Sequence, residues 1–223
     1  MNILLTGGAG YIGSHICNTL LDLGYKVSTI DNLSTGNQNL IPKKAEYINS
    51  DIADKKNVAT FIKKNNFDVV MHLAAFTRVG ESVKNPEKYQ SNNFEKAKIF
   101  IDTCLEHNLK KFIFSSTGSV YGNPEKNENI KENEVTNPIN PYSQSKLKFE
   151  KYLIEETKKR NASCTVLRYF NVAGADLQNR TGLTSNPDNL IKAICEVAVK
   201  KREKLIINGT DYKTKDGTPI RDF

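Results

Sequence analysis

The sequence contains no tryptophan and little methionine, histidine or cysteine, with 2, 3 and 4 residues respectively among 223. The cysteines are far apart and form no C-x-x-C pair: Cys17, Cys104, Cys164 and Cys195. This spacing predicts neither a metal site nor a disulfide framework, so we interpret them as small apolar core residues. There is also no apolar run long enough to cross a bilayer, and no basic leader before the first apolar residues. The sequence therefore predicts a cytoplasmic protein without a membrane partner.

Basic residues outnumber acidic ones by 32 to 25, which gives a net charge of +7. The lysines are scattered or stand in short pairs, and no arginine-rich stripe with interleaved aromatic residues occurs. This distribution predicts a solvated surface, not a nucleic-acid partner. A length of 223 residues suffices for one substantial core and part of a second.

Three glycines follow the apolar residues at the start of the chain. Residues 3–6 (ILLT) predict a buried parallel strand, and Gly7, Gly10 and Gly13 lead into apolar residues at helical spacing. A strand, a glycine turn and a helix N-terminus together form an anion site. A second predicted strand ends at Asp31, where a carboxylate suits ribose hydroxyls and repels a 2′-phosphate. Separately, the glycines could form only a tight turn and Asp31 only a cap; together they predict a site for NAD.

Strands alternate with helices along most of the chain. Further strands are predicted at 46–49, 67–75, 112–117 and 164–170, and helices at 58–64, 87–106 and from Pro141. This order predicts an α/β fold, a Rossmann-like doubly wound parallel sheet that binds ligands beyond the carboxyl ends of its strands. From residue 171 the pattern changes, with a helix at 189–201 and a short strand at 204–207. We expect a dinucleotide-binding domain over 1–170, the start of a smaller substrate lobe over 171–223, and a chain that is a fragment.

Tyr142 and Lys146 are four residues apart on a predicted helix and therefore share one face. A tyrosine ionises near pH 10, and a neighbouring ammonium group favours its phenolate form. The strand before this helix ends in hydroxyl side chains, the last of them Thr117. Asn92 has an unfavourable mid-helix position that suggests a polar task, although it could also face solvent. Asp51 could contact an adenine amine or cap the following helix.

Seven stretches of the chain resemble the extended short-chain dehydrogenase/reductase superfamily and, within it, the UDP-glucose 4-epimerase family. They are TGGAGYIGSH at 6–15, DNLSTG at 31–36, HLAAFTRVGESV at 72–83, FSSTGSVYG at 114–122, PYSQSK at 141–146, LRYFNVAGA at 167–175 and DGTPIRDF at 216–223. The resemblance covers the whole chain.

The resemblance implies a role for each matching position. Tyr142 would be the catalytic base, Lys146 its modulator and Thr117 the catalytic hydroxyl. The residues at NAD would be Gly7, Gly10, Tyr11, Ile12, Gly13, Asp31, Asn32, Leu33, Ser34, Thr35, Gly36, Asp51, Ile52, Leu73, Ala74, Ala75, Thr77, Asn92, Tyr142, Lys146 and Phe170. The residues at a UDP-sugar would be Thr117, Tyr142, Asn171, Asn189, Ile206, Ile207, Asn208 and Arg221. Thr77 departs from the pattern, because some members carry a lysine there.

The activity that the resemblance implies is NAD-dependent 4-epimerisation of a UDP-hexose through a 4-keto sugar, without a metal, in a homodimer joined through helices at 89–107 and 142–160. A UDP-N-acetylhexosamine is an alternative substrate. A nucleotide-sugar 4,6-dehydratase is an alternative enzyme, but it requires an Asp-Glu pair where this chain has Gly118-Ser119. An NAD-sensing scaffold is a third alternative, although such proteins often lose the Tyr/Lys pair.

Overall fold

A computed structural model describes residues 1–123, 129–184, 189–207 and 209–220. Its parallel sheet has the strand order β3-β2-β1-β4-β5-β6. The strands are β1 Asn2–Thr6, β2 Lys26–Asp31, β3 Glu46–Asn49, β4 Val69–His72, β5 Lys111–Thr117 and β6 Ser163–Tyr169. Because the order reverses between β1 and β4, a crevice opens beyond the carboxyl ends of these two strands. The predicted Rossmann-like fold is confirmed.

Helices cover both faces of the sheet. They are α1 Tyr11–Asp22, α2 Lys55–Asn65, α3 Val79–Lys84, α4 Pro86–Gln90, α5 Ala97–Glu106, α6 Pro141–Lys159 and α7 Leu190–Ala198. A π-helical turn, Ser91–Lys96, joins α4 to α5, and 3-10 turns occupy Gln38–Leu40 and Gly118–Tyr121. Within the described ranges no helix has the length and apolar character of a membrane span.

The larger core cluster lies between the sheet and helices α2, α5 and α6, and Phe100, Phe114 and Phe149 are at most 1% exposed in it. On the other face, Cys17 of α1 packs between Leu5 and Val27. Aromatic and β-branched residues of the strands are therefore covered on both sides, which is what a parallel sheet requires.

Three predicted elements differ from the observed ones. The strand predicted at 67–75 ends at His72, because the backbone N–H groups of Leu73 and Ala74 donate to the Thr6 hydroxyl at 3.2 Å. The helix predicted at 87–106 is interrupted by the π-helical turn. The strand predicted at 204–207 is wrong: these residues form no ladder within the described part of the chain, and Ile206 and Ile207 are 67% exposed.

Candidate functional site

The glycine turn joins β1 to α1 at the centre of the sheet. Gly7 has a φ of +81°, which disfavours any side chain, and a Cβ there would lie 2.8 Å from the backbone nitrogen of Ala74. Gly10 N–H donates to Gly7 O at 3.1 Å and closes the turn. At Gly13, a Cβ would lie 2.1 Å from Gly7 O, so α1 approaches β1 closely only because this residue is glycine. The turn thus brings the start of α1 directly above the switch point of the sheet.

Tyr11 and Ile12 begin α1, and the first backbone N–H groups of a helix have no intrahelical partner. Together with the positive end of the helix dipole, these groups form a site for a phosphate.

Asp31 lies at the carboxyl end of β2 and faces the glycine turn. Its carboxylate accepts hydrogen bonds from Ala9 N–H at 3.0 Å and Leu33 N–H at 2.8 Å. Burial raises the pKa of this carboxyl group, while the two backbone donors act in the opposite direction. A Cβ on Gly36 would lie 2.6 Å from that of Ala9, so the 32–36 loop packs on the turn. Ser34 and Thr35 stay exposed at its tip.

Asp51 follows β3 at the same edge and forms an ion pair with Lys96 at 2.5 Å. It also accepts from the Asn32 side chain at 3.2 Å and from Ala53 N–H at 2.9 Å, and its pKa is lowered. Burial acts against that lowering, whereas Lys96 and the other donors favour the charged form. Helix α2 is capped by Asp54 instead. Asp51 thus joins the ends of β2 and β3 to the π-helical turn, with Ile52 buried beside it.

Thr117, Tyr142 and Lys146 converge at the end of β5. Thr117 is 6% exposed and ends the strand, and its hydroxyl approaches the Tyr142 phenol closely enough to lower the phenol's pKa by hydrogen bonding. Asn140 caps α6 by accepting from Ser143 N–H at 2.9 Å, which orients the first turn that carries Tyr142. The structure therefore brings the predicted catalytic residues together.

Burial acts on the two ionisable groups in opposite directions. It raises the pKa of Tyr142, although the Thr117 hydrogen bond lowers it, and it lowers the pKa of Lys146 to about 7. The Lys146 ammonium group lies 4.5 Å from the centre of the Phe114 ring. Burial is the main cause of both shifts, because desolvation disfavours the charged form of both groups. The acidification of the phenol by this lysine stays a prediction.

His72 lies between the aromatic rings beneath this site. Its Nδ1 is 2.7 Å from the Thr6 hydroxyl. Since that hydroxyl accepts from Leu73 and Ala74 N–H, its own proton points to His72 Nδ1, and the imidazole is neutral. Burial, with a smaller contribution from the charge of Lys146, lowers the His72 pKa to about 3.

Apart from Thr117 and Tyr142, the residues predicted to contact a substrate follow β6 in the chain, after Phe170, which was predicted to contact NAD. The Phe170 ring is 50% exposed, and a Cβ on Gly118 would lie 2.7 Å from it. Asn171 is exposed, and Asn189 caps α7 by accepting from Lys192 N–H at 3.0 Å. Ile206 and Ile207 are exposed. Asn208 and Arg221 lie outside the described residues. Thr77, which was predicted to contact NAD, is exposed.

Residues 3–223 match the NAD dependent epimerase/dehydratase family. The chain belongs to this family.

Within this family, the chain is similar to several UDP-glucose 4-epimerases. The UDP-glucose 4-epimerase of Azospirillum brasilense is 42% identical over 99% of this chain, which spans 64% of that protein. A crystal structure of a UDP-glucose 4-epimerase superposes with a TM-score of 0.94 at 40% identity and covers all of this chain, which covers 68% of it. The Bifidobacterium longum UDP-glucose 4-epimerase in complex with NAD+ and UDP gives a TM-score of 0.92 at 34% identity, with 100% of this chain and 69% of that one covered. The predicted resemblance is confirmed.

Asn93 of this epimerase/dehydratase domain was not among the predicted site residues, although it lies next to the predicted Asn92. Asn93 is 2% exposed, accepts from Phe76 N–H at 2.9 Å and donates to Phe76 O at 2.9 Å and to the Ser145 hydroxyl at 3.3 Å. The predicted Asn92 is half-buried and donates to the Asn93 side chain at 3.0 Å. Asn93 therefore joins the loop after β4 to the helix that carries Lys146, and the adjacent pair of asparagines within a helical pattern was its only sequence signal.

The segment after β6 is linked to α1, which the sequence did not reveal. The Tyr11 hydroxyl donates to Gly174 O at 2.6 Å, and the hydroxyls of Ser14 and Thr181 are hydrogen-bonded. Arg180 forms an ion pair with Asp22 at 2.9 Å. These contacts place residues 174–181 against the helix whose N-terminus faces the glycine turn. Within the described ranges, no cluster of three or more metal-ligating side chains occurs.

Proposed function

We propose that the full-length protein catalyses the NAD-dependent 4-epimerisation of a UDP-hexose, interconverting UDP-galactose and UDP-glucose. The observation that carries the proposal is the convergence of two features at one edge of the sheet. The glycine turn lies at the start of α1. Tyr142 and the buried Lys146 lie on α6, and the phenol of Tyr142 lies close to Thr117 at the end of β5. The similarity to UDP-glucose 4-epimerases over the whole chain supports the same reaction.

The residues at this edge fit NAD. A Cβ at Gly7 would lie 2.8 Å from Ala74 N, so the turn lies directly on the 73–75 backbone. The start of α1 offers N–H groups to a pyrophosphate, and Asp31 offers a carboxylate to ribose hydroxyls. We propose that the predicted NAD residues line this site. When bound, the oxidised dinucleotide supplies a hydride acceptor that later returns the hydride, and a positive charge at its nicotinamide ring.

Tyr142 removes the proton from the sugar 4-hydroxyl and later returns it. Its phenol is pulled toward the neutral form by burial, and the Thr117 hydrogen bond opposes that shift. Positive charge close to the phenol lowers its pKa further, which favours proton removal near neutral pH. Lys146, whose pKa burial lowers to about 7, orients a ribose hydroxyl and contributes charge when protonated. Thr117 holds the phenol and the sugar hydroxyl in line.

Residues 171–223 begin the substrate lobe in this proposal. Asn171 follows β6 beyond the same edge of the sheet, and Asn189 begins α7. We assign these residues, with Ile206, Ile207, Asn208 and Arg221, to the UDP-sugar, and Arg221 suits the diphosphate because a guanidinium group binds phosphate bidentately. The family relative from Bifidobacterium longum was solved with UDP, which supports this class of ligand.

The other substrates and reactions predict different products. A UDP-N-acetylhexosamine requires the same chemistry but a larger pocket. A 4,6-dehydratase requires an acid and a base after the strand threonine, and here Gly118 and Ser119 follow Thr117 in the 3-10 turn. We therefore favour the epimerase.

The decisive experiment incubates the full-length protein separately with UDP-galactose and UDP-N-acetylgalactosamine and resolves the products by chromatography. We expect UDP-glucose from the first incubation, and its formation should be at least about a hundredfold slower with Tyr142→Phe as the control. Formation of a 4-keto-6-deoxy sugar, or no turnover of either nucleotide sugar, would reject the proposal. Conversion of only the N-acetylated substrate would move the assignment to that sugar.

We also propose a homodimer in which α4, the π-helical turn and α5 pack with α6 against a second copy. The support is that these helices are neighbours on one face of the sheet, as the predicted interface requires. Sedimentation of the full-length protein tests this arrangement. Location in the cytoplasm and the lack of a nucleic-acid partner remain predictions from the sequence.

A further inference from the structure

The proposed catalytic residues come from different elements, whose relative placement needs a fixed link. Thr117 ends β5, Tyr142 and Lys146 lie on α6, and Asn171 follows β6. A displacement of about 1 Å between reacting groups can cost roughly a hundredfold in rate. Whatever joins β5, β6 and α6 beneath the site therefore affects turnover directly.

Glu150 lies on α6 one turn beyond Lys146, and it is 3% exposed. Its carboxylate accepts a hydrogen bond from the Ser116 hydroxyl at 2.9 Å, and Ser116 immediately precedes Thr117. Both of its oxygens also accept from Arg168 of β6, one of them from Nε at 3.3 Å. One buried carboxylate thus connects the three elements that carry the site.

Arg168 extends this connection to the turn after Thr117. Its guanidinium group donates to the Tyr121 hydroxyl at 2.7 Å and to Glu132 O at 2.9 Å, and it lies 4.9 Å from the centre of the Tyr121 ring. Glu150 and the neighbouring hydroxyl raise the pKa of Arg168 above its usual value, so the group stays charged. The 118–121 turn on one side of Thr117 and Ser116 on the other are both held by the same ion pair.

A buried ion pair is a poor source of net stability, because desolvation of both charges offsets their attraction. A hydrogen-bonded network of this kind instead restricts the geometry of the elements that it joins. We propose that Glu150, through Ser116 and Arg168, is a positioning residue that holds the Thr117 hydroxyl against the Tyr142 phenol. This inference rests on the proposed function.

The test compares Glu150→Gln, Ser116→Ala and the wild-type full-length protein in epimerisation of UDP-galactose. Glu150→Gln keeps the size of the side chain but removes its charge, and Ser116→Ala removes only the link to β5. We expect kcat to fall roughly tenfold to a hundredfold in the first variant and less in the second, with KM changed by no more than about threefold. Glu156→Gln, which breaks the ion pairs with Lys159 and Arg160 on the same helix, should keep the wild-type kcat.

The pH profile separates positioning from plain electrostatics. Loss of a nearby negative charge would by itself lower the pKa of Tyr142, whereas loss of the Thr117 hydrogen bond would raise it. We therefore expect the acid limb of the kcat profile to move to higher pH in Glu150→Gln. Faster hydrogen exchange at 115–121 should accompany this shift without substrate present.

The possible results distinguish a failure of the proposed function from a failure of the positioning role of Glu150. A wild-type protein that turns over no UDP-sugar would contradict the proposed function and this inference with it. An active wild type whose variants keep kcat, or lose it only in proportion to their unfolded fraction, would contradict the positioning role alone. A pH profile that moves to lower pH would also overturn it.

Discussion

The sheet region and the segment after β6 hold the same residue types in opposite environments. Ile101 and Phe114, in the larger core cluster of the sheet region, are at most 1% exposed. Ile206 and Phe170, in the segment after β6, are 67% and 50% exposed. The first region holds its site residues by its own packing. The second is held by hydrogen bonds from side chains of α1, such as those of the Tyr11 hydroxyl to Gly174 O and of the Ser14 hydroxyl with Thr181. The proposed dinucleotide half of the site therefore lies on the packed core, and the proposed substrate half depends on contacts at the surface.

A matched pair of isoleucines gives the largest expected contrast between the regions. Ile101→Ala should lower the free energy of unfolding by about 2–5 kcal/mol, because it leaves a cavity in the core. Ile206→Ala should change it by less than about 0.5 kcal/mol, because that side chain is exposed. Urea unfolding of both variants measures the difference. Equal losses would show that the two regions share one core.

Tyr142→Phe tests whether the core carries the chemistry. Turnover should fall by at least about a hundredfold, the usual scale for loss of a general acid–base group, while NAD stays bound. Tyr152→Phe is the matched control on the same helix, since its hydroxyl bonds Asp102 away from Thr117. Steady-state kinetics and cofactor content measure both variants. An active Tyr142→Phe would reject the base assignment.

Asp31→Ala tests the cofactor end of the core. Affinity for NAD should fall roughly tenfold to a hundredfold, because the carboxylate is lost both to ribose hydroxyls and to the backbone groups of Ala9 and Leu33. Calorimetric titration with NAD measures it. Asp54→Ala, which uncaps α2, should leave the affinity unchanged. If both variants bind NAD like the wild type, Asp31 does not contact the cofactor.

His72 makes the stability of the core depend on pH. Its pKa falls from the usual value near 6.5 to about 3 in the folded state, mainly through burial. Between these values the unfolded chain binds more protons, so this contribution is fully present above about pH 6.5 and is lost as the pH falls toward 3. One such proton gives a slope of up to about 1.4 kcal/mol per pH unit.

His72→Asn removes the titratable imidazole but keeps a hydrogen-bond acceptor for the Thr6 hydroxyl. We expect its unfolding free energy to depend less steeply on pH between about 4 and 6 than that of the wild type. Urea unfolding across this range gives both slopes. Identical slopes would show that His72 does not titrate on unfolding.

The smallest expected effect lies in the segment beyond β6. Thr181→Val removes the hydrogen bond to Ser14 and should lower the free energy of local opening by about 1 kcal/mol. Hydrogen exchange near residues 174–184 should then quicken by roughly fivefold, while that of the strands stays unchanged. Thr19→Val, on the exposed face of α1, serves as the control. Faster exchange in the strands would mean that the segment and the sheet open together.

The sheet and its ligand edge could be predicted because their signals are local. Apolar runs, the glycine spacing and Asp31 at a strand end each follow from a few adjacent residues, and β3 was predicted with the bounds that the structure shows. The π-helical turn was not predicted, and its Asn93 makes a contact that no local pattern records, with the backbone of Phe76, 17 residues earlier. The false strand at 204–207 arose from an apolar run that has no neighbouring strand to pair with in the described part of the chain.

By itself the sequence determined the Rossmann-like fold and the glycine turn, and it put Tyr142 and Lys146 on one helix face, because periodicity and spacing encode these features within short windows. The catalytic role of Thr117 came from the family resemblance and stays a prediction. Only the tertiary structure decided that burial shifts the pKa values of Tyr142 and Lys146 in opposite directions. It also decided that Glu150 and Arg168 connect the strands beneath the site. Both depend on desolvation and on contacts between residues distant in sequence, which no local pattern records.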